Sequence, residues 1–512
     1  NIDELMKQIQ KKRLLLIEPY GDEIRKVSSI IMNYVKTNKR KLYGGFALNM
    51  LIVDKNPKDA IYGEDELPDI DFYSPEPLLD VVDLCNTIYK AGFKNVLGRE
   101  AQHKETYSIR VNGLLYCDIS YVPRNVYNRI PYREINGYYV VGPEFMAIDY
   151  FRIITDMLTS NFKLDKRFKR FALLQKHYPL PYIKNEIRIK PSNLKNGDAK
   201  ILANVLKYVH NYCINKESII VVGLYAYNNF LKELNTIEKK NKFNYININY
   251  YELISTSYKN DAIDLICKLK NKFDESDNNI KVTEFYPFFQ FWGYSANIYY
   301  KDVMIAKIYS NNKRCIPYHL VAANTFQNNK VIPPNNDNDK IQIGSFAMTI
   351  LYSLISVIRA RVDKDDDKKN LYYTIISHLI EMRNRYLTIS RKNIFDKSLF
   401  QEFIIECKGT PITAEHEKQL LIEKRKKSGA KYVFSYDPSI VSKESIDYQF
   451  ANSSGNPIIK PVNLKLYNGY KGNKCTESNI NDQNKVAAKH DEDIEEDEED
   501  DKDESDNINI TT

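Results

Sequence analysis

The 512-residue chain is poor in the residues from which metal clusters and covalent cross-links are built. It has one tryptophan, seven histidines and seven cysteines, and Cys85, Cys117, Cys213, Cys267, Cys315, Cys407 and Cys475 are scattered singly with no Cys-x-x-Cys pair. That spacing argues against a structural zinc site and fits a reducing compartment. The sequence also lacks a signal-peptide pattern and any apolar run long enough to cross a bilayer, so a soluble, intracellular protein is expected. The 39 tyrosines carry little functional weight, because Tyr, Asn, Ile and Lys together are what AT-rich coding produces.

What is present points to a polyanion. A length of 512 residues exceeds one ordinary core, so two or more domains are expected. The net charge of +7 hides an asymmetry: Asp491 through Asp506 carries thirteen acids against Lys502, and setting that tail of −12 aside leaves +19 on the rest. A body so basic suits nucleic acid, although lysine-rich compositions are basic for other reasons too. The acidic run itself has the composition of a disordered tail, which either keeps the chain soluble or competes with RNA for basic surface.

The chemistry gathers in Leu42 to Ser74. Tyr43-Gly44-Gly45-Phe46-Ala47-Leu48-Asn49-Met50-Leu51 reads as a strand end, a Gly-Gly turn and a helix. Glycines let backbone N–H groups approach an anion, and the helix N-terminus adds its positive dipole end, a seat for phosphate oxygens. Pro68-Asp69-Ile70-Asp71-Phe72-Tyr73 alternates as a strand, with Ile70 and Phe72 facing a core and Asp69 and Asp71 on the other face. Carboxylates about 7 Å apart repel by roughly 2 kcal/mol at an effective dielectric near 20, which leaves either a wet, screened face or a divalent cation held by hard oxygen ligands.

A third acid comes from the hairpin Thr106–Val111, Asn112-Gly113, Leu114–Val122, whose turn residues suit a type I′ geometry. Leu115, Cys117, Ile119 and Tyr121 take one face of its second strand, so Asp118 takes the other. Beside the Asp69–Tyr73 strand, three carboxylates would converge opposite the Gly-Gly helix start, the makings of two-metal phosphoryl or nucleotidyl transfer.

Gly-Gly, then Asp-x-Asp, then one Asp on a later strand resembles the DNA polymerase β-like nucleotidyltransferase superfamily. Within it, YGGFALNML, DIDFYS and YCDISYV resemble the poly(A) polymerase catalytic subunits of large DNA viruses, the poxvirus and mimivirus-like group. One departure is the segment DKNPKDAIYGEDELP inserted between Gly45 and Asp69. The resemblance implies adenylyl transfer from ATP to an mRNA 3′ end, with Asp69 and Asp71 holding both metals, Mg²⁺ or Mn²⁺, and Asp118 holding the one that activates the 3′ hydroxyl. It also implies Gly44 and Gly45 on the β- and γ-phosphates, and a virion or infected-cell cytoplasmic location. Poxvirus relatives use a separate processivity partner; self-association through a second copy of the fold is the other arrangement left open. Uridylyl or oligonucleotide synthesis, and a catalytically silent RNA-binding scaffold, stay as alternatives.

Further along, a helix enters at Pro143, and a second carries Lys163, Lys166, Arg167, Lys169 and Arg170. Lys166 and Arg170, four apart on one face, are candidates for holding the triphosphate, or else a solvated basic face. The pattern then repeats: Val221–Leu231 parallels Leu42–Leu51, Tyr251–Ser257 echoes Asp69–Ser74, Asp302–Tyr309 echoes the Asp118 strand, and Gly344–Met348 matches Gly142–Met146. A duplicated nucleotidyltransferase fold is expected, the second copy blank at the acidic positions, with residues such as Tyr251, Leu253 and Ala306 there. Arg383 and Arg385 beside Tyr386, and Arg425, Lys426 and Lys427 before Tyr432, Phe434 and Tyr436, combine cations with rings as single-stranded RNA binding requires, or form charged loops. The fold class expected is α+β with tandem polymerase β-like domains: a helical segment 1–41, a catalytic domain 42–181, a degenerate domain 182–390, an extension 391–470 and a disordered tail 471–512.

Overall fold

The structure, a computed structural model, describes residues 2, 4–6, 8–9, 12, 21–63, 66, 68–103, 105–180, 182–183, 187, 194, 196–238, 243–274, 279–427, 434–440 and 461–462. The expected tail, Tyr432 and much of the first twenty residues of the expected helical segment 1–41 lie outside them. The chain forms two compact units. Asn1–Tyr150 joins Phe162–Leu180 and Ile412–Pro457 in the first; Phe151–Asn161 joins Pro181–Pro411 and Ile458–Thr512 in the second. Residues 391–470, expected as one extension, thus divide between the two.

In the first unit, α1 (Gly21–Thr37) precedes β1 (Lys41–Tyr43), α2 (Gly44–Lys55), β2 (Ile70–Ser74) and α3 (Pro77–Lys90). Then follow β3 (Val96–Glu100), β4 (Thr106–Val111), β5 (Leu114–Tyr121), β6 (Tyr132–Ile135), β7 (Tyr138–Val141), α4 (Pro143–Ile154), whose last four residues count with the second unit, and α5 (Leu164–His177). Apolar spacing of three and four sets the buried helix faces: Val27, Ile31 and Val35 on α1, and Val81, Leu84, Cys85 and Ile88 on α3. Both central residues of the β4–β5 turn have positive φ, Asn112 +50° and Gly113 +82°, the type I′ geometry that matches strand twist. The sheet runs β3-β4-β5-β2-β1-β7-β6, with β2–β5 and β1–β7 parallel and the other neighbours antiparallel. Phe72, Cys117, Ile119, Leu42 and Val140 fill its buried face.

The second unit contains α6 (Asn196–Cys213), β8 (Ile219–Val222), α7 (Gly223–Ile237), β9 (Tyr251–Ser255), α8 (Tyr258–Phe273), β10 (Ile280–Phe285), β11 (Ser295–Tyr300) and β12 (Val303–Ser310). It continues with β13 (Ile316–Ala322), β14 (Lys340–Gly344), α9 (Phe346–Asp363), α10 (Asp366–Ser390) and β15 (Cys407–Lys408). Its sheet order, β10-β11-β12-β9-β8-β14-β13, repeats the first strand for strand, with the same parallel and antiparallel neighbours. Even the irregularity recurs: β5 carries an extra residue, Tyr116, opposite Ile109/Arg110, and β12 an extra residue, Ile305, opposite Ile298/Tyr299. Such irregularities are rarely reproduced by chance, and the tandem α+β fold follows.

The register corrects one expectation. Glu252, opposite Val222 on β8 and Lys307 on β12, takes the position of Asp71, which lies opposite Tyr43 and Asp118. The counterparts of Asp71 and Asp118 are therefore Glu252 and Lys307, not Leu253 and Ala306. A slip of one residue along a strand exchanges its two faces, and Leu253 and Ala306 belong to the fully buried side. The cysteines differ from expectation too. Cys315 and Cys407, 92 residues apart, form a disulfide beside the pairing of Pro317 with Cys407, whereas Cys85, Cys117 and Cys213 are free and buried. No described helix is long and apolar enough to cross a membrane.

Candidate active site

Three adjacent strands set the site in one row: Tyr43 on β1 faces Asp71 on β2, which faces Asp118 on β5. At Gly44 the chain turns out of β1 with φ +76°, and a Cβ there would run into the Asp71 carboxylate. Only glycine accepts both conditions cheaply. Helix α2 consequently begins against Asp71, with no side-chain cap from Tyr43, so its first N–H groups are available to an anion. Tyr43 is held by a 2.8 Å hydrogen bond between its hydroxyl and that of Ser120, and its ring stacks on Tyr73 at 3.9 Å.

The carboxylates are under electrostatic load. Burial, then Asp118 and Asp69, push the Asp71 carboxyl up to about 8, with Arg167 opposing. Burial and Asp69 push Asp118 to about 6, with Arg110 opposing. Asp69, exposed just ahead of β2, is raised by loss of solvent and steadied by Lys166 and Arg110. Oδ1 of Asp118 is buried without a hydrogen-bond partner. Hard oxygens, mutual repulsion and an orphaned carboxylate atom together fit a divalent cation. The expected convergence of three acids is looser than anticipated: among the described residues no three acid, His or Cys side chains are gathered closely enough to hold an ion by themselves.

Lys166 and Arg170 share α5 and approach this row from the side of Gly45. Lys166 bears on Asp69 and Asp71, and Arg170 is buried with its guanidinium against Gly45. Three further residues bear on the site. Arg167, named among the basic residues of α5 but not chosen with Lys166 and Arg170, acts on Asp71. Arg110 lies on the Asp118 face of β4, two residues from Ser108, which pairs with Asp118, and Tyr62 lies in the inserted segment, where no periodicity signals a role.

The basic candidates elsewhere are not brought together. Arg383 pairs with Glu402 at 3.4 Å and lies over the Phe346 ring, while Arg385 pairs with Glu238 at 2.6 Å and lies over Phe243. Both belong to the second unit. In the first, α11 (Ala414–Lys427) carries Arg425, which donates to both oxygens of Glu100 at 3.0 and 3.2 Å. Lys426 and Lys427 are exposed at the end of that helix.

Comparison with known proteins covers nearly the whole chain. Residues 29–160 match the family model described as poly(A) polymerase catalytic subunit, and residues 172–468 match the model for the C-terminal region of the mimivirus catalytic subunit. A chain of Acanthamoeba polyphaga mimivirus named as a poly(A) polymerase catalytic subunit is 32% identical over 515 residues, spanning 96% of this chain and 86% of that one. A subunit of the same name from African swine fever virus is 28% identical over 169 residues, 31% of this chain and 35% of its own. The crystal structure of the Megavirus polyadenylate synthase superposes with a TM-score of 0.78 at 33% identity, covering 89% of this chain and 90% of that one.

Proposed function

The chain belongs to the poly(A) polymerase catalytic subunit family of large DNA viruses, and from that premise we propose that it adds AMP from ATP to mRNA 3′ ends without a template, through the Asp71–Asp118 row. The observation that carries the reading is the register of Asp71 against Asp118 beneath the glycine-started helix α2. Asp69, Asp71 and Asp118 would hold Mg²⁺ or Mn²⁺, whose remaining ligands come from nucleotide oxygens and water, as is usual for Mg²⁺. A cation bound there supplies Lewis-acid stabilisation at the α-phosphate and makes the 3′ hydroxyl easier to deprotonate. The N–H groups at Gly44 and Gly45 seat the β- and γ-phosphates, and Lys166, Arg167 and Arg170 on α5 offset the charge of departing pyrophosphate. Asp118, raised to about 6, or bulk water would take the hydroxyl proton.

The test extends a labelled short RNA with each NTP separately in Mg²⁺ or Mn²⁺, comparing wild type with Asp71→Ala. A long ladder with ATP alone, absent in the variant, is expected. Extension with another NTP overturns the adenylyl assignment, and no extension with any NTP overturns the catalytic one. Light scattering on the active species distinguishes self-association from a separate processivity partner.

A further inference from the structure

Arg170 is buried, yet among the described residues its hydrogen-bond partner is not a carboxylate. It donates through Nη2 to the hydroxyl of Tyr62 at 2.6 Å, with its guanidinium 5.5 Å from the Tyr62 ring centre. Both groups press on one glycine: a Cβ at Gly45 would meet the Tyr62 hydroxyl and both terminal nitrogens of Arg170. A buried cation satisfied by a neutral phenol keeps most of its attraction for an anion, and here it faces the start of α2.

Tyr62 is itself fixed from two sides. The backbone N–H of Ile61 donates to Asn49 Oδ1 on α2 at 2.7 Å. Three residues earlier, Asp59 accepts from Lys176 and meets His177 Nε2, both on α5 and both at 2.6 Å. The segment therefore ties the helix that offers N–H groups to the helix that offers the guanidinium, and Tyr62 closes the link.

Resting on the reading above, we propose that Tyr62 is a positioning residue for the nucleotide: its hydroxyl holds Arg170 against the Gly45 helix start, so that the β- and γ-phosphates of ATP meet a guanidinium already in place. Preorganisation of this kind lowers the cost of ordering a long side chain on binding. It acts on the distal phosphates, so AMP gains nothing from it.

Tyr62→Phe keeps the ring and removes the hydrogen bond. The expected result is a KM for ATP raised about ten- to a hundredfold, the size of one hydrogen bond to a charged group. kcat should stay within about twofold, and calorimetry should find the AMP dissociation constant unchanged. Arg170→Ala should raise KM further, and Tyr62→Phe added to it should change nothing more, because Tyr62 acts through Arg170. An unchanged or lowered KM for ATP, equal weakening of AMP and ATP, or additive effects in the double variant would overturn the proposal. So would a fall in kcat that tracks a fall in melting temperature, which marks a merely structural role. Wild type that extends RNA with ATP while Tyr62→Phe is indifferent sinks this inference alone; wild type that neither binds ATP nor extends RNA sinks the underlying assignment and this inference with it.

Discussion

Lys307 stands opposite Glu252 in the parallel pairing of β9 with β12, the register position that Asp118 and Asp71 hold between β5 and β2. The correspondence extends to the turn before the helix, since a Cβ at Gly223 would run into Glu252 as one at Gly44 would into Asp71. The Lys307 ammonium lies 4.6 Å from the Trp292 ring centre and 4.5 Å from that of Tyr309, and the Tyr309 hydroxyl donates to Glu252 at 3.0 Å. Burial pushes Lys307 down to about 7, with Glu252 pulling it back up. Where one copy sets two acids side by side, the other sets a lysine beside its acid.

Lys307→Met should therefore be costly, because it removes the cation that favours the charged form of the buried Glu252 carboxyl, leaving that group to its tyrosine hydroxyls. A loss of about 1–3 kcal/mol is expected, read as a lower denaturant midpoint for the second unit. Adding Glu252→Gln should recover most of that loss. A single variant as stable as wild type would mean that the pair is not ionised.

Gly44→Ala tests the other copy. The added methyl meets both a left-handed backbone and the Asp71 carboxylate, so a stability cost above about 1 kcal/mol is expected, and displacement of Asp71 should cut kcat at least about a hundredfold. Gly45→Ala meets Tyr62 and Arg170 instead, and should act mainly on the KM for ATP. The contrast in kinetic parameter, measured under the same RNA-extension conditions, checks the division of labour between the two glycines.

The two glycines also show how far the sequence could be read. Their place at the turn into α2 was legible because a strand end, Gly-Gly and a helical apolar pattern are local features, and so was the place of Asp118, whose strand is set by an Asn-Gly turn. Glu252 and Lys307 escaped because register depends on pairing between distant strands, and a shift of one residue exchanges core for site. Arg110 escaped because its place beside the acids depends on the pairing of Ser108 with Asp118 across the hairpin, two residues away. Tyr62 sits in an insertion, where neither period two nor period 3.6 applies, and its partner Arg170 lies 108 residues away.

Acid stability should depend on His319 of β13. Burial pushes its imidazole down to about 4, with a backbone contact at Leu399 and the Glu406 carboxylate opposing. The native pKa lies below the unfolded value near 6.5, so the unfolded chain binds the extra proton between those limits, and stability falls as pH drops from about 6.5 to 4. The expected contribution is about 2–3 kcal/mol across that window. His319→Gln should flatten this part of the stability profile, measured by denaturant melts at pH 4.5, 5.5 and 7; an unaltered slope would show that the imidazole is not what titrates.

The basic end of α11 separates structural from nucleic-acid-facing charge. Arg425 is committed to Glu100, and Lys418 on the same helix donates to the carbonyls of Glu100 at 3.3 Å and Ala101 at 2.6 Å, so these two cations fasten the helix to the end of β3. Lys427 is exposed at the helix terminus. If RNA phosphates follow this end, Lys427→Ala should weaken RNA binding at low salt and reduce the slope of log K against log salt by about 0.7, the value for one phosphate contact on a single strand. Arg425→Ala should instead lower melting temperature and leave the slope unchanged, because its charge is already neutralised by Glu100. Titrations of a labelled single strand over a range of salt concentrations separate the two, and a slope change in Arg425→Ala without one in Lys427→Ala would place the RNA on the opposite side of the helix.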